Sequence, residues 1–207
     1  MGKKLILYRS RVREFYKKFY DKNDGGHLID HADDVCNLAL ELAKENGYTG
    51  IINVKKVILS SYIHDIFTWK DRKQHHLLAG MYITERRDEF IKEFTDINDV
   101  LNMADAVRKH RASYKGEREN LLEIIIASAD RGKPDLDKII DRSLSFNSKL
   151  EDDSTKIQLA FEHIKDKYGT NGYVNYPEFY KKIFSKELKE FNKQVNDLTI
   201  DQINIKV

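Results

Sequence analysis

Proline occurs only twice in the 207 residues, at Pro134 and Pro177, and no other feature limits the fold so strongly. Proline interrupts a helix by removing a backbone donor and by colliding with the preceding turn. Where it is absent, long segments can stay helical, and here their apolar residues recur at three- and four-residue spacing. An all-α protein is expected. Its helices are predicted over about residues 4–20, 30–45, 53–67, 75–93, 95–110 and 119–130. Asn53 and either Thr95 or Asp96 are suited to cap two of them. Turns are expected at Asn23-Asp24-Gly25-Gly26, at Asn46-Gly47 and at 113–116. Arg131-Gly132-Lys133-Pro134 breaks the chain, with Pro134 in the first turn of the following helix. Another helix is expected over 151–168, and a last one capped by Asn175 with Pro177 in its first turn. Phe179, Tyr180, Ile183, Phe184, Leu188, Phe191 and Val195 form the apolar stripe of that last helix. The stripe is expected to pack on the domain or on a second copy of the chain, which allows a homodimer. Residues 198–207 read as a loose tail. No interdomain linker stands out, so one domain is expected over 1–207, with a core at about 27–135 and a C-terminal helical extension at about 150–197.

Charge excludes some classes of function. Lys plus Arg number 36 and Asp plus Glu 34, a formal net charge of +2, so no extended nucleic-acid surface is expected. The one cysteine, Cys36, rules out a disulfide framework and a cysteine-based zinc site, and suits a reducing, cytoplasmic setting. No apolar run approaches the roughly 20 residues of a membrane span, and the N-terminal apolar stretch is too short for a signal peptide.

His64-Asp65 closes the apolar run Val57-Ile58-Leu59-Ser60-Ser61-Tyr62-Ile63. A carboxylate and an imidazole are costly to bury without partners. A divalent cation accepts both neutral imidazole nitrogen and ionised carboxylate oxygen. Of the seven histidines, His31, His64, His75, His76 and His110 fall near edges of predicted helices, and Asp130 ends the most apolar one. Taken singly, each has a structural explanation; together they form a candidate ligand set.

These residues resemble the HD-domain metal-dependent phosphohydrolases. His31-Ala32-Asp33-Asp34-Val35, followed by Leu38, Ala39, Leu42 and Ala43, is similar to that family's opening helix, although Asp34 replaces the usual basic residue. His64-Asp65 matches the name-giving dyad, and Asp130 the closing aspartate. His76-Leu77-Leu78-Ala79-Gly80 and the His110 that ends Ala106-Val107-Arg108-Lys109-His110 resemble the two extra histidines of bimetallic members. The resemblance spans about residues 27–135 and implies a helical HD bundle and a ligand set of His31, His64, Asp65, His76, His110 and Asp130. Two divalent ions are implied, of Fe, Mn, Zn, Co or Ni, with Asp65 bridging them. The implied activity is hydrolysis of a phosphate ester or anhydride of a nucleotide-like small molecule by a metal-activated hydroxide. The alternative is a low-turnover metal- and nucleotide-binding module that acts as a sensor or partner.

Other residues are read around this set. Neighbours on a helix point about 100° apart, so His75 and His76 are not expected to serve one metal together; His75 is read as a surface or phosphate-touching residue. Lys70 and Arg131 are the chosen phosphate contacts among several nearby cations. Asp71 is the carboxylate that would have to assist a single ion. Trp69 and Tyr114 are candidates for stacking on a base. Thr68 stands where some relatives carry a lysine. Trp69-Lys70 replaces the Glu-Asp pair of relatives that hydrolyse guanosine alarmones, which counts against that substrate. No phosphate-loop, dinucleotide or His-Glu-x-x-His motif is present.

Overall fold

A computed structural model describes residues 2–23, 27–94, 96–148 and 150–204. Among them there are helices and no strand. The helices are α1 (Lys3–Tyr20), α2 (Ile29–Glu45), α3 (Ile51–Ile63), α4 (His75–Glu85), α5 (Arg87–Phe94), α6 (Ile97–Arg108), α7 (Leu121–Asp130), α8 (Leu136–Phe146), α9 (Asp153–Tyr168), α10 (Glu178–Ile183), α11 (Ser185–Asp197) and α12 (Ile200–Asn204). None is long and apolar enough to cross a membrane. The chain divides into two compact units, Met1–Gly132 and Lys133–Val207.

In the first unit α3 is the centre, packed against α1, α2, α6 and α7. Every residue from Lys56 to Ile63 is buried. The lysine in that run stays charged by reaching Asp99 of α6, with Nζ 2.6 Å from Oδ1. α2 lays Val35, Leu38, Ala39 and Leu42 on the core at three- and four-residue spacing. α1 is tied down by polar contacts. Arg13 Nε donates to both oxygens of Asp33, at 3.0 and 2.7 Å, and Tyr62 of α3 donates its hydroxyl proton to Asp33 Oδ1 at 2.6 Å.

Several boundaries differ from the sequence reading. α3 starts two residues before Asn53, behind Gly50, and ends at Ile63, so His64-Asp65 opens a turn instead of lying inside the helix. The helix expected over 75–93 is broken at Arg86, whose guanidinium stacks over the Tyr82 ring, 4.2 Å from its centroid. Asp96 caps α6 by accepting from the Asn98 N–H; Thr95 lies outside the described residues. The turn expected at 23–26 is described only at Asn23. Pro134 precedes the capping residue Asp135 of α8. Pro177 immediately precedes α10, and the stripe helix is broken at Phe184 into α10 and α11.

The second unit has its own core of Ile140, Ile157, Ile164, Phe191, Val195, Leu198 and Ile203. The segment read as a loose tail is therefore anchored: α12 packs on α9, and Leu198 and Ile203 are 4% and 0% exposed. Apolar residues spread over so short a stretch, in no regular helical period, were too weak a signal to reveal this. Residues 205–207 lie outside the described residues.

Candidate metal centre

The titratable residues of the first unit converge from helix ends. His31 lies in the first turn of α2, and His64-Asp65 directly follows α3. His75 opens α4, His110 lies just past α6, and Asp130 is the last residue of α7. A helix C-terminus leaves backbone carbonyls without intrahelical donors. Two of these histidines use that surplus. His64 Nδ1 lies 2.7 Å from Ser61 O and His110 Nδ1 lies 2.6 Å from Val107 O. His75 does the same one turn before α4, with Nδ1 2.8 Å from Arg72 O. In each ring the Nδ1 proton donates to a carbonyl three residues back, so the neutral imidazole presents a bare Nε2.

Those Nε2 atoms face one another. His64 Nε2 is 3.4 Å from His31 Nε2, and His75 Nε2 is 3.2 Å from His110 Nε2. Asp65 stands between the pairs. Its Oδ2 is 3.3 Å from His64 and 3.6 Å from His31, while its Oδ1 is 3.1 Å from His75 and 3.4 Å from His110. Asp130 Oδ1 completes the first group, 3.3 Å from His31 and 3.6 Å from His64. The ligand atoms thus form two groups with one shared member: His31, His64, Asp65 and Asp130, and Asp65, His75 and His110. Asp65, His64, His75 and His110 are buried. Lone pairs converging in so little water repel unless a cation lies among them. The donor set, imidazole and carboxylate without thiolate, fits a divalent transition metal.

The charges follow from that geometry. Burial opposes ionisation of Asp65, but the charges of His64 and His75 and hydrogen bonds from His110 and His64 hold it well below the usual carboxylate range. Asp130 behaves alike, through His31 and His64. Burial works against a charge on His64, and the carboxylates of Asp65 and Asp130 outweigh it, pushing the group up to about 10. Burial lowers His110, with partial relief from Asp65.

Five of the six expected ligands are brought together, and the sixth changes place. His75, not His76, stands in the second group. His75 points inward from the first position of α4, and its neighbour points elsewhere, as the 100° step requires. His76 Nδ1 is buried with no hydrogen-bond partner among the described residues. Burial and the neighbouring His110, His75 and Arg111 lower His76 to about 4. The sequence cue, a histidine four residues before Gly80, pointed to His76, whereas the geometry groups His75 with Asp65 and His110. What could have found His75 is its place at a helix start with a carbonyl three residues back.

The expected cations also separate. Lys70 lies on the exposed turn after the dyad. Arg131 is buried and donates through Nη1 to His110 O at 2.5 Å, with Asp130 Oδ2 at 3.5 Å, so it braces two ligand-bearing segments. Lys109 is engaged with buried Glu123, Nζ to Oε2 3.0 Å, and Arg111 Nη1 donates to Lys73 O at 2.7 Å. Asp71 Oδ1 accepts from the Lys73 and Gln74 N–H groups ahead of α4, a capping role. Trp69 is 44% exposed, with the Lys22 ammonium 4.8 Å above its ring. The Arg118 guanidinium lies 5.1 Å over the Tyr114 ring.

No curated protein and no solved structure matches the chain. A family model does: residues 28–134, which include every member of both ligand groups, match the HD domain, and the chain belongs to that family of metal-dependent phosphohydrolases.

Proposed function

We propose that the chain is a two-metal phosphohydrolase that cleaves a phosphate ester or anhydride of a nucleotide-like small molecule. One observation carries the reading: two pairs of imidazole nitrogens face each other at 3.4 and 3.2 Å across a single carboxylate. One ion would be held by His31, His64, Asp65 and Asp130, and a second by Asp65, His75 and His110. Fe, Mn, Zn, Co or Ni suits these donors. Cys36 is not among them; burial pushes its thiol up to about 12. Two such ions supply Lewis acidity toward phosphoryl oxygens and a lowered pKa for water.

The chain's own residues do the positioning. Ser61, Arg72 and Val107 carbonyls fix the tautomers of His64, His75 and His110. Asp65 offers one oxygen to each group, which sets the spacing between them. Arg131 ties the His110 carbonyl to the Asp130 side of the site. Half-buried Arg111, close enough to His76 to lower it, and exposed Lys70 and Lys73 are the cations suited to a phosphate tail. Exposed Trp69 supports a base-bearing substrate.

A second reading, a low-turnover binding module, draws support from Thr68. That residue is buried and donates its hydroxyl to Asp65 O at 2.9 Å, where some relatives have a lysine. The test is a hydrolysis panel of nucleoside mono- and polyphosphates, dinucleoside polyphosphates and cyclic nucleotides, on protein reconstituted with Mn(II) or Fe(II). Phosphate release that disappears in Asp65→Ala supports the enzyme. Tight nucleotide binding without product across the panel favours the module. Less than about 0.1 metal per chain after reconstitution removes both.

A further inference from the structure

The family match begins at residue 28, yet one side chain before it reaches the main chain of the dyad, and another reaches the main chain of α3 just ahead of it. Asn23, in the turn after α1, uses its whole amide. Its Nδ2 donates to Asp65 O at 3.1 Å and to His27 O at 3.0 Å, and its Oδ1 accepts from the Trp69 N–H at 3.0 Å. Tyr20, the last residue of α1, is fully buried. Its hydroxyl donates to Tyr62 O at 3.1 Å. Asp65 O also receives the Thr68 N–H and hydroxyl. Three donors on one carbonyl is more than a turn needs for its own closure. The Asn23 amide, moreover, joins the approach to α2, which carries His31, to the turn that carries Asp65.

We infer that the end of α1, through Asn23 and Tyr20, is a positioning element of the metal centre that fixes where the Asp65 carboxylate stands relative to His31. The inference rests on the two-metal reading above. Both act through the backbone, Asn23 on the Asp65 carbonyl and Tyr20 on the Tyr62 carbonyl three residues before it. Partners of this outer kind typically govern metal affinity by roughly 10- to 100-fold.

The test titrates Co(II) into the metal-free full-length protein, following its visible absorption and its affinity by chelator competition, with melting of the metal-free protein as the folding control. Asn23→Ala is expected to fold, to bind Co(II) about 10-fold or more weakly, and to alter the absorption band. Asn23→Asp keeps the acceptor for Trp69 but loses both donors, and is expected to match the alanine variant. Tyr20→Phe keeps the packing, loses the bond to Tyr62 O, and is expected to shift the band in the same direction. It carries the test alone if the Asn23 variants do not fold. Wild-type affinity within twofold and an unchanged band in every folded variant overturn the inference while the two-metal reading stands. Wild-type behaviour of Asn23→Asp alone also overturns it, because the Trp69 contact would then be the one that matters. A wild-type protein that takes up no Co(II) overturns both.

Discussion

At the residue scale, a hydrogen bond made on the far side of each ring decides what His64, His75 and His110 can do. With Nδ1 donating to the carbonyl three residues back, each neutral ring has only Nε2 to offer, and the rings point that atom at a shared carboxylate. His76, one position along α4, lacks such a bond and lies outside both ligand groups. His75→Ala is therefore expected to lower bound metal from two ions per chain to one, weakening the second by roughly 100-fold or more, while His76→Ala keeps two. Elemental analysis after dialysis decides this; the opposite pattern returns the ligand role to His76. A second prediction concerns protons. In the metal-free protein His64 is pushed up to about 10 by Asp65 and Asp130. A raised group contributes stability that is fully present below its unfolded value of about 6.5 and is lost as pH rises through its folded value. Metal needs the neutral ring, so uptake expels a proton. Co(II) affinity is expected to rise about tenfold per pH unit between about 6.5 and 8.5, while the metal-free protein melts lower over the same range. A pH-independent affinity rejects a charged His64.

At the scale of elements, the distance between α4 and α6 is set where Gly80 meets Arg108. The guanidinium donates to Gly80 O at 3.3 Å and to Thr84 Oγ1 at 3.4 Å, and holds Asp105 Oδ1 at 3.0 Å. A methyl group on Gly80 would fall on the Arg108 side chain, 2.7 Å from Nε. Gly80→Ala gains about 1 kcal/mol of helix propensity and loses more through the displaced arginine. A net loss of about 1 kcal/mol is expected, lowering Tm by about 2–4 °C. With Arg108→Ala in place, the same change should become stabilising by about 1 kcal/mol. Equal effects in the two backgrounds would mean that Arg108 is not what excludes the methyl. The contact also explains how far the motif around Gly80 was legible. The glycine is a packing requirement between two helices, and it says nothing about which of two adjacent histidines faces Asp65. Five members of the candidate ligand groups were legible only through the resemblance of their motifs to the HD family. The all-helical class, by contrast, followed from period and residue type, because burial imposes both on a single chain segment. The breaks at Arg86 and Phe184 did not, because continuous apolar spacing runs through them. Asn23 did not either, since its partners in the turn of the dyad lie 42 and 46 positions away and nothing local records them.

At the scale of the whole molecule, the division falls two residues after the last ligand. Every member of both groups, and the α1 contacts behind them, lies in Met1–Gly132, and Lys133–Val207 has an apolar core of its own. Part of that second core, Phe191 and Val195, is legible in the sequence as members of the apolar stripe; Leu198 and Ile203, which also belong to it, stand in a stretch too short to show a period. Ile203 is wholly buried, so Ile203→Ala should cost about 2–4 kcal/mol of local stability. The cost should fall on the helices it packs with and not on the metal centre, because perturbations without shared partners add independently. Hydrogen exchange is expected to quicken across α9 and α11 in Ile203→Ala, with Co(II) affinity and absorption within twofold of wild type. Unchanged exchange would mean that α12 does not anchor the second core. A Co(II) affinity lowered more than fivefold would mean that the second unit supports the ligand groups, and its helices would then belong to the functional core of the protein.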